Sequence, residues 1–130
     1  QIEADEIDRI NILEATKQAM LNAIATLSPS PDFLLIDALY LKRSPLPQRS
    51  IIKGDSISAS IAAASILAKT YRDDLMKAYD AEFPQYGFAA HKGYGCSSHY
   101  DAIREHGPCP LHRMSFKGVV EPNIDNNGLF

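Results

Sequence analysis

Apolar positions recur with helical spacing through the first 27 residues. After Asp8, the residues Ile12, Thr16, Ala19, Met20, Ala23, Ile24 and Leu27 fall on one face, and Glu14, Lys17, Gln18 and Asn22 fall elsewhere. This pattern predicts an amphipathic helix. Asn11 stands at capping-box spacing from Glu14, and Asp8 is a rival cap. The prolines of "SPSPD" at 28–32 end the helix.

The period then changes. "FLLID" at 33–37 is a short apolar run that predicts a strand buried on both faces. "ALYLKRSPLPQR" at 38–49 reads as a loop, and "SIIK" at 50–53 as a second strand. A helix opened by Asp55 or Ser56 follows, with Ile57, Ile61, Ala64 and Ala68 on one side and the small residues Ala62, Ala63 and Ser65 around it. So uncharged a helix is expected to lie buried against a sheet. From Tyr71 the pattern turns amphipathic, with Leu75, Met76, Tyr79 and Phe83 opposite Arg72, Asp73, Lys77 and Asp80, until Pro84 stops it. "QYGFAAHKGYGCSSHY" at 85–100 reads as a glycine- and aromatic-rich loop, within which Ser97 or Ser98 caps a short helix ended by Gly107 and Pro108. The rest is irregular, with a frayed tail expected over 117–130.

The order helix–strand–strand–helix–helix predicts an α/β or α+β domain. Two short strands are too few for an independent sheet. The chain opens on an acidic stretch, as though cut from something longer, so further N-terminal strands are expected outside it. The exposed sheet edge is expected to favour self-association.

Composition narrows the class. The chain has 130 residues, 45% hydrophobic and 22% charged, which suits one globular domain with a real core. Its net charge of -3 argues against a strongly basic nucleic-acid binder, although carboxylates that hold metal ions also lower the total. No apolar run is long enough to span a membrane, and Gln1 to Arg9 has no signal-peptide character. Two cysteines make no disulfide framework, so a reducing, cytoplasmic setting is expected.

Four constellations carry candidate chemistry. Asp37 and Asp55 each end an apolar, strand-like run, and ligands of open sheets bind beyond the carboxyl ends of strands. Two carboxylates there suit a shared hard divalent cation; the plainer reading is a helix cap and a turn. In "KGDS", Gly54 permits close backbone approach and Lys53 adds a point charge for phosphate, without the spacing of a P-loop. In "HKGYG", Tyr94 stands between glycines beside Lys92, with Arg104 and Arg113 further on for phosphate contacts, a composition suited to stacking on a sugar or base, or to an ordinary turn. Finally, Cys96-x-x-His99 and Cys109-x-x-His112 offer four ligand side chains for zinc, at a spacing unlike the usual fingers.

Taken together, the segments resemble the ribonuclease HII family, the type 2 ribonucleases H. "EIDRINILEAT", "FLLID", "IIKGDSISASIAAASILAKTYRDDLM", "YGFAAHKGYG" and "GPCPLHRMSF" match family motifs in the expected order. The resemblance implies a ribonuclease H-like mixed sheet flanked by helices, with residues 1–130 forming the C-terminal portion of the catalytic domain. It implies endonucleolytic cleavage of RNA in RNA–DNA hybrids and at ribonucleotides embedded in duplex DNA, with Mg²⁺ or Mn²⁺. It implies that Asp37 and Asp55 are catalytic metal-binding carboxylates, and that Tyr94 contacts the nucleotide at the RNA–DNA junction. Lys53, Gly54 and Lys92 complete the expected substrate contacts. The chain departs from the family in lacking its Asp-Glu pair and Gly-Arg-Gly loop, since Asp5-Glu6 is followed by Ile7-Asp8. Ala38 stands where the family usually has glycine. The chain alone is therefore expected to be weak or inactive, and a non-catalytic nucleic-acid- or phosphate-binding fragment is the alternative.

Overall fold

The structure is a computed structural model, and it describes residues 1–120. Two helices open it, α1 (Ala4–Ile10) and α2 (Ile12–Ala25), so the acidic start is helical. Asn11 separates them at φ 67°. Its side chain accepts from the amides of Leu13 at 3.0 Å and Glu14 at 3.1 Å, so Asn11, and not Asp8, caps α2. Glu14 pairs with Lys17. Asp8 instead reaches across the chain, accepting from the Met114 amide at 2.6 Å and from the Ser115 hydroxyl. Those hydrogen bonds, the Ser115 hydroxyl first, hold its carboxyl below the usual range.

Strands β1 (Leu34–Asp37) and β2 (Gln48–Ile51) pair in parallel, with Leu34 opposite Gln48 and Asp37 opposite Ile51. The second strand begins two residues earlier than the apolar run suggests, and Ile52 and Lys53 lie beyond it. Gln48 explains the shift. Its amide side chain accepts from the Leu41 N–H at 2.8 Å and donates to the Leu41 carbonyl at 3.0 Å, closing the connecting loop onto the strand. Leu41, fully buried, joins Leu34 and Ile36 in a core covered by Met20, Leu21 and Ile24 of α2. The expectation of a strand buried on both faces does not hold. Leu34 and Ile36 are buried, while Phe33 and Leu35 are exposed, because only one face of the pair is well covered. Ile12 and Leu27, at the ends of the α2 stripe, are exposed too.

After the second strand the helix is broken in two. The short α3 (Gly54–Ile57) is separated from α4 (Ala59–Glu82) by Ser58, whose extended backbone makes it the cap of α4. Neither Asp55 nor Ser56 caps anything: the position before α3 is Lys53, in the left-handed conformation with no side-chain cap. The expectation of a buried small-residue helix is also overturned. Ile61 and Met76 are the buried residues of α4, whereas Ile57, Ile66, Leu67 and Tyr71 are 65–71% exposed. Too few strands lie against this face to cover it.

The C-terminal half of α4 behaves as its pattern predicts. Met76, with Tyr79 and Phe83, packs into a second core built by Tyr86, Phe88, Ile103, Cys109 and Val119. The segment that reads as a loop is mostly helical, a 3-10 turn at Pro84–Tyr86 followed by α5 (Phe88–His91) and then α6 (Ser97–His106). Burial of Tyr86 and Phe88 overrides its glycine-rich composition. Cys96, not Ser97 or Ser98, occupies the cap position of α6. Gly107, at φ 74°, ends that helix. Val119 is packed, and the remainder of the expected tail, 121–130, lies outside the described residues. No helix among the described residues is long and apolar enough to cross a membrane.

Candidate active site

The parallel pair sends both strands toward one edge, and the two candidate carboxylates stand there. Asp37 is the last residue of β1. Its Oδ1 accepts the amide N–H of Gly54 at 2.8 Å. The strand-end carboxylate is thereby tied to the turn that presents Asp55 one residue later. Both aspartates are exposed, so their remaining oxygen lone pairs face solvent. The Ala38 amide donates to the Ile51 carbonyl at 3.1 Å, extending the ladder one step past Asp37. Ala38 then turns away at φ 54°, a conformation that glycine adopts without strain.

Gly54 is buried between these groups. A Cβ added there would lie 2.6 Å from Ile61 Cδ1 and 3.4 Å from Asp37 Cα. This close approach, and not the backbone angles, is what favours glycine here. Lys53 is exposed beside it, at φ 55°. Ser56 Oγ approaches Asp55 Oδ1 at 3.4 Å. Among the described residues, no cluster of three or more histidine, cysteine or acidic side chains could hold a metal ion. Asp37, at the end of β1, and Asp55, in α3, are the two candidate carboxylates of this region.

The second candidate region is the turn joining α5 to α6. Lys92 adopts φ 54° and folds its ammonium back onto the Ala89 carbonyl. Tyr94 is 65% exposed, ring outward. Arg72 of α4 braces this turn twice. One guanidinium nitrogen donates to the Lys92 carbonyl at 3.0 Å, and its carbon stands 5.8 Å from the centre of the Tyr94 ring. Asp80, further along the same helix, accepts the Ala89 amide at 3.0 Å and fixes the start of α5, which leads into the turn. The helix that follows the Asp55 turn thus also carries the brace of Tyr94. Arg104 and Arg113 have other partners: Arg104 pairs with Asp101, and Arg113 lies over the Phe116 ring at 4.7 Å.

The four cysteine and histidine side chains are not arranged as zinc ligands. Cys96 Sγ contacts Ser98 Oγ at 3.2 Å. The two histidines meet Nε2 to Nε2 at 3.0 Å as a hydrogen-bonded pair, and among the described residues no group of three or more such side chains could hold a metal ion. Burial pushes the pKa of His99 and of His112 down, which favours the neutral ring in both. Burial likewise pushes the Cys109 thiol up.

Arg72, Asp80, His99 and His112 carry roles here that their sequence context does not signal. Arg72 looks like one polar residue on a solvated helix face, and no local spacing announces a contact twenty residues away. The two histidines stand out in the sequence for their spacing to cysteine, whereas their partners are each other, backbone groups and, for His112, the Cys109 thiol.

Comparison with known proteins places this geometry in a family. A family model described as Ribonuclease HII matches residues 1–119. Ribonuclease HII of Geotalea daltonii is 60% identical over 119 residues, covering 92% of this chain and 55% of the relative. Ribonuclease HII of Geobacter metallireducens is 59% identical over 115 residues, covering 88% and 54%. Ribonuclease HII of Chlamydia caviae is 60% identical over 118 residues, covering 91% and 55%. The chain spans about half the length of the curated relatives it matches.

Proposed function

We infer, from the fact that this chain belongs to the ribonuclease HII family and from its strand-edge geometry, that Asp37 and Asp55 are catalytic metal-binding carboxylates of a ribonuclease H. The observation that carries this reading is the 2.8 Å hydrogen bond from the Gly54 amide to Asp37, which holds one carboxylate in place beside the turn bearing the other. The donor set suits Mg²⁺ or Mn²⁺. Both groups are hard oxygen ligands open to solvent, and Mg²⁺ is commonly held by one or two carboxylates with waters and substrate phosphate oxygens. Divalent ions, when bound, stabilise the charge that develops on the attacking and leaving oxygens of an in-line phosphodiester displacement.

The remaining roles fall to this chain's own groups. Lys53, exposed in the same turn, supplies a positive charge for a phosphate, and Gly54, buried against Ile61, contributes to the substrate site by letting that turn pack close to Asp37. Tyr94, exposed and braced by Arg72, meets the sugar at the junction between ribo- and deoxyribonucleotide, with Lys92 in the same turn. The substrate class is an RNA–DNA hybrid, or duplex DNA with an embedded ribonucleotide; a 2′-hydroxyl is the group that separates RNA from DNA. The expected compartment is the cytoplasm. The uncovered apolar face of the sheet and of α4 is the proposed seat of self-association.

Two carboxylates are half of what a two-ion site requires, so the 130-residue chain alone is proposed to bind and to cleave weakly or not at all. The test is nicking of a duplex carrying one ribonucleotide, with Mg²⁺ or Mn²⁺. Salt-dependent binding of that duplex, with little or no nicking, is expected. Robust metal-dependent nicking by the purified chain would overturn the half-site reading, and absence of binding would overturn the site itself. The non-catalytic reading, in which the fragment binds nucleic acid or phosphate without chemistry, draws on the same shortage of ligands. Nicking restored by a segment that supplies the family's Asp-Glu pair would argue against it.

A further inference from the structure

Behind the Tyr94 turn, three histidines are packed together and individually hydrogen-bonded. His99 and His112 are 6% and 8% exposed. Each has a ring nitrogen whose nearest partner assigns its role. His112 Nδ1 lies 2.9 Å from the Cys109 amide, which only donates, 3.2 Å from the Cys109 thiol and 3.3 Å from the Cys109 carbonyl; the amide is the shortest contact, so that nitrogen is assigned as the acceptor. The Tyr94 carbonyl is an acceptor only, and it lies 3.0 Å from His99 Nδ1, so that nitrogen carries the proton. A neutral His112 then holds its proton on Nε2, and a neutral His99 accepts there; the two Nε2 atoms are 3.0 Å apart. The result is one directional chain, from the Cys109 N–H through His112 and His99 to the carbonyl of Tyr94. His91 stacks on His99 with ring centres 4.2 Å apart, and is itself fixed by the Tyr86 carbonyl at 2.8 Å and the Gly93 amide at 3.2 Å.

We propose that His112 and His99 are positioning residues for Tyr94: their hydrogen-bonded pair sets the Tyr94 carbonyl from behind while Arg72 braces the ring in front, so that the exposed ring is pre-aimed at the junction nucleotide. The proposal rests on the reading of Tyr94 as a substrate contact. It goes beyond that reading by assigning buried residues that touch no substrate. The physical ground is that a side chain on a turn holds a productive geometry only when its backbone is locked by packing and hydrogen bonds behind it. Tyr94 has glycine on both sides, so the turn itself supplies little stiffness. The pair supplies a polar anchor in a place where an unmet donor or acceptor would be costly.

Two measurements on the full 130-residue chain test this. Long-range ¹H–¹⁵N NMR should find His99 protonated on Nδ1 and His112 on Nε2 at neutral pH; the opposite tautomers, or averaging between them, would overturn the proposal. The second is the ratio of affinities for a duplex with one ribonucleotide and for the all-DNA duplex. His112→Leu should lower that ratio about tenfold, the scale of one lost buried hydrogen bond. His112→Gln, which keeps a donor toward His99, should restore most of it. Tyr94→Ala should lower the ratio as well, and the double variant no further than either single one, because the two act as one unit. An unchanged ratio in His112→Leu, or effects that multiply, would contradict the positioning role. Should Tyr94→Ala leave the ratio intact, the substrate reading of Tyr94 fails. The His99 tautomer and the Tyr94 carbonyl ¹³C shift then decide the anchor: both should change in His112→Leu and be retained in His112→Gln, and no change in either variant would overturn it. If His112→Leu does not fold, the tautomers of the parent chain and the His112→Gln variant decide the proposal in the same way.

Discussion

Ala38 stands where the resemblance leads one to expect glycine, and the structure shows the cost of a side chain there. It sits at φ 54°, a region where a Cβ is strained. Ala38→Gly is expected to stabilise the chain by roughly 0.5–1 kcal/mol, the relief of strain less the extra freedom glycine gains in the unfolded state. Urea unfolding checks it, and a destabilised variant would mean the turn is not as described. Gly54 should behave oppositely. Gly54→Ala forces Ile61 aside and is expected to cost about 1–3 kcal/mol, with loss of the Asp37 hydrogen bond that orders the site. Of these two positions, only Ala38 is legible in the sequence in its true sense. Gly54 suggests freedom of the backbone there, whereas in the fold it answers a lack of room, a property that depends on Ile61 seven residues on.

The buried histidines make a pH prediction of definite sign. Both have a pKa lowered below 6.5, chiefly by burial, with the neighbouring ring opposing protonation of His112 as well. The groups around them are His91, stacked on His99, and the Cys109 thiol, 3.2 Å from His112 Nδ1. A depressed folded-state value means that the unfolded chain takes up protons first. Stability from the pair is therefore complete above 6.5 and is lost as pH falls through the lower folded values. Thermal unfolding between about pH 7.5 and 5 should show Tm falling on acidification, and the slope should shrink in His112→Gln.

At the scale of elements, α4 divides into two halves with different surroundings. Its second half is legible, because Met76, Tyr79 and Phe83 recur at helical spacing and find a local core. Its first half misleads. Apolar composition all round implies burial only when something lies on every side, and here Ile66 and Leu67 meet solvent. The contrast is measurable. Met76→Ala should cost about 2–4 kcal/mol, whereas Leu67→Ala should lie within roughly 0.5 kcal/mol in dilute solution. A large cost for Leu67→Ala at low concentration would mean that this face is covered. The break at Ser58 is invisible in the sequence for a similar reason. Glycine, aspartate and serine all tolerate a helix start; in the fold Asp37 takes the Gly54 amide at the start of α3, and Ser58 caps α4 with its own hydroxyl, which accepts from the Ile61 amide.

For the whole molecule, the α/β class and the family are readable because five motifs stand in order along almost the whole chain, and the fold matches that family. The parallel pairing of β1 and β2 follows from a connection that returns both strands in one direction. Which faces are covered is not readable, since that depends on neighbours distant in sequence. The exposed apolar positions of β1, α3 and α4 form the proposed self-association surface. Sedimentation should show a concentration-dependent shift from monomer, and Leu67→Lys should abolish it; a monomer at all concentrations would contradict that proposal.

The central claim is that Asp37 and Asp55 act together on a divalent cation, and a metal titration addresses it most directly. Mn²⁺ binding to the 130-residue chain, followed by the loss of the free-ion electron paramagnetic resonance signal, should show one weak site. Asp37→Asn and Asp55→Asn should each lose that site, in proteins whose circular dichroism remains that of the parent. Unchanged Mn²⁺ binding in a folded Asp55→Asn variant would contradict the claim and leave that carboxylate as part of a turn.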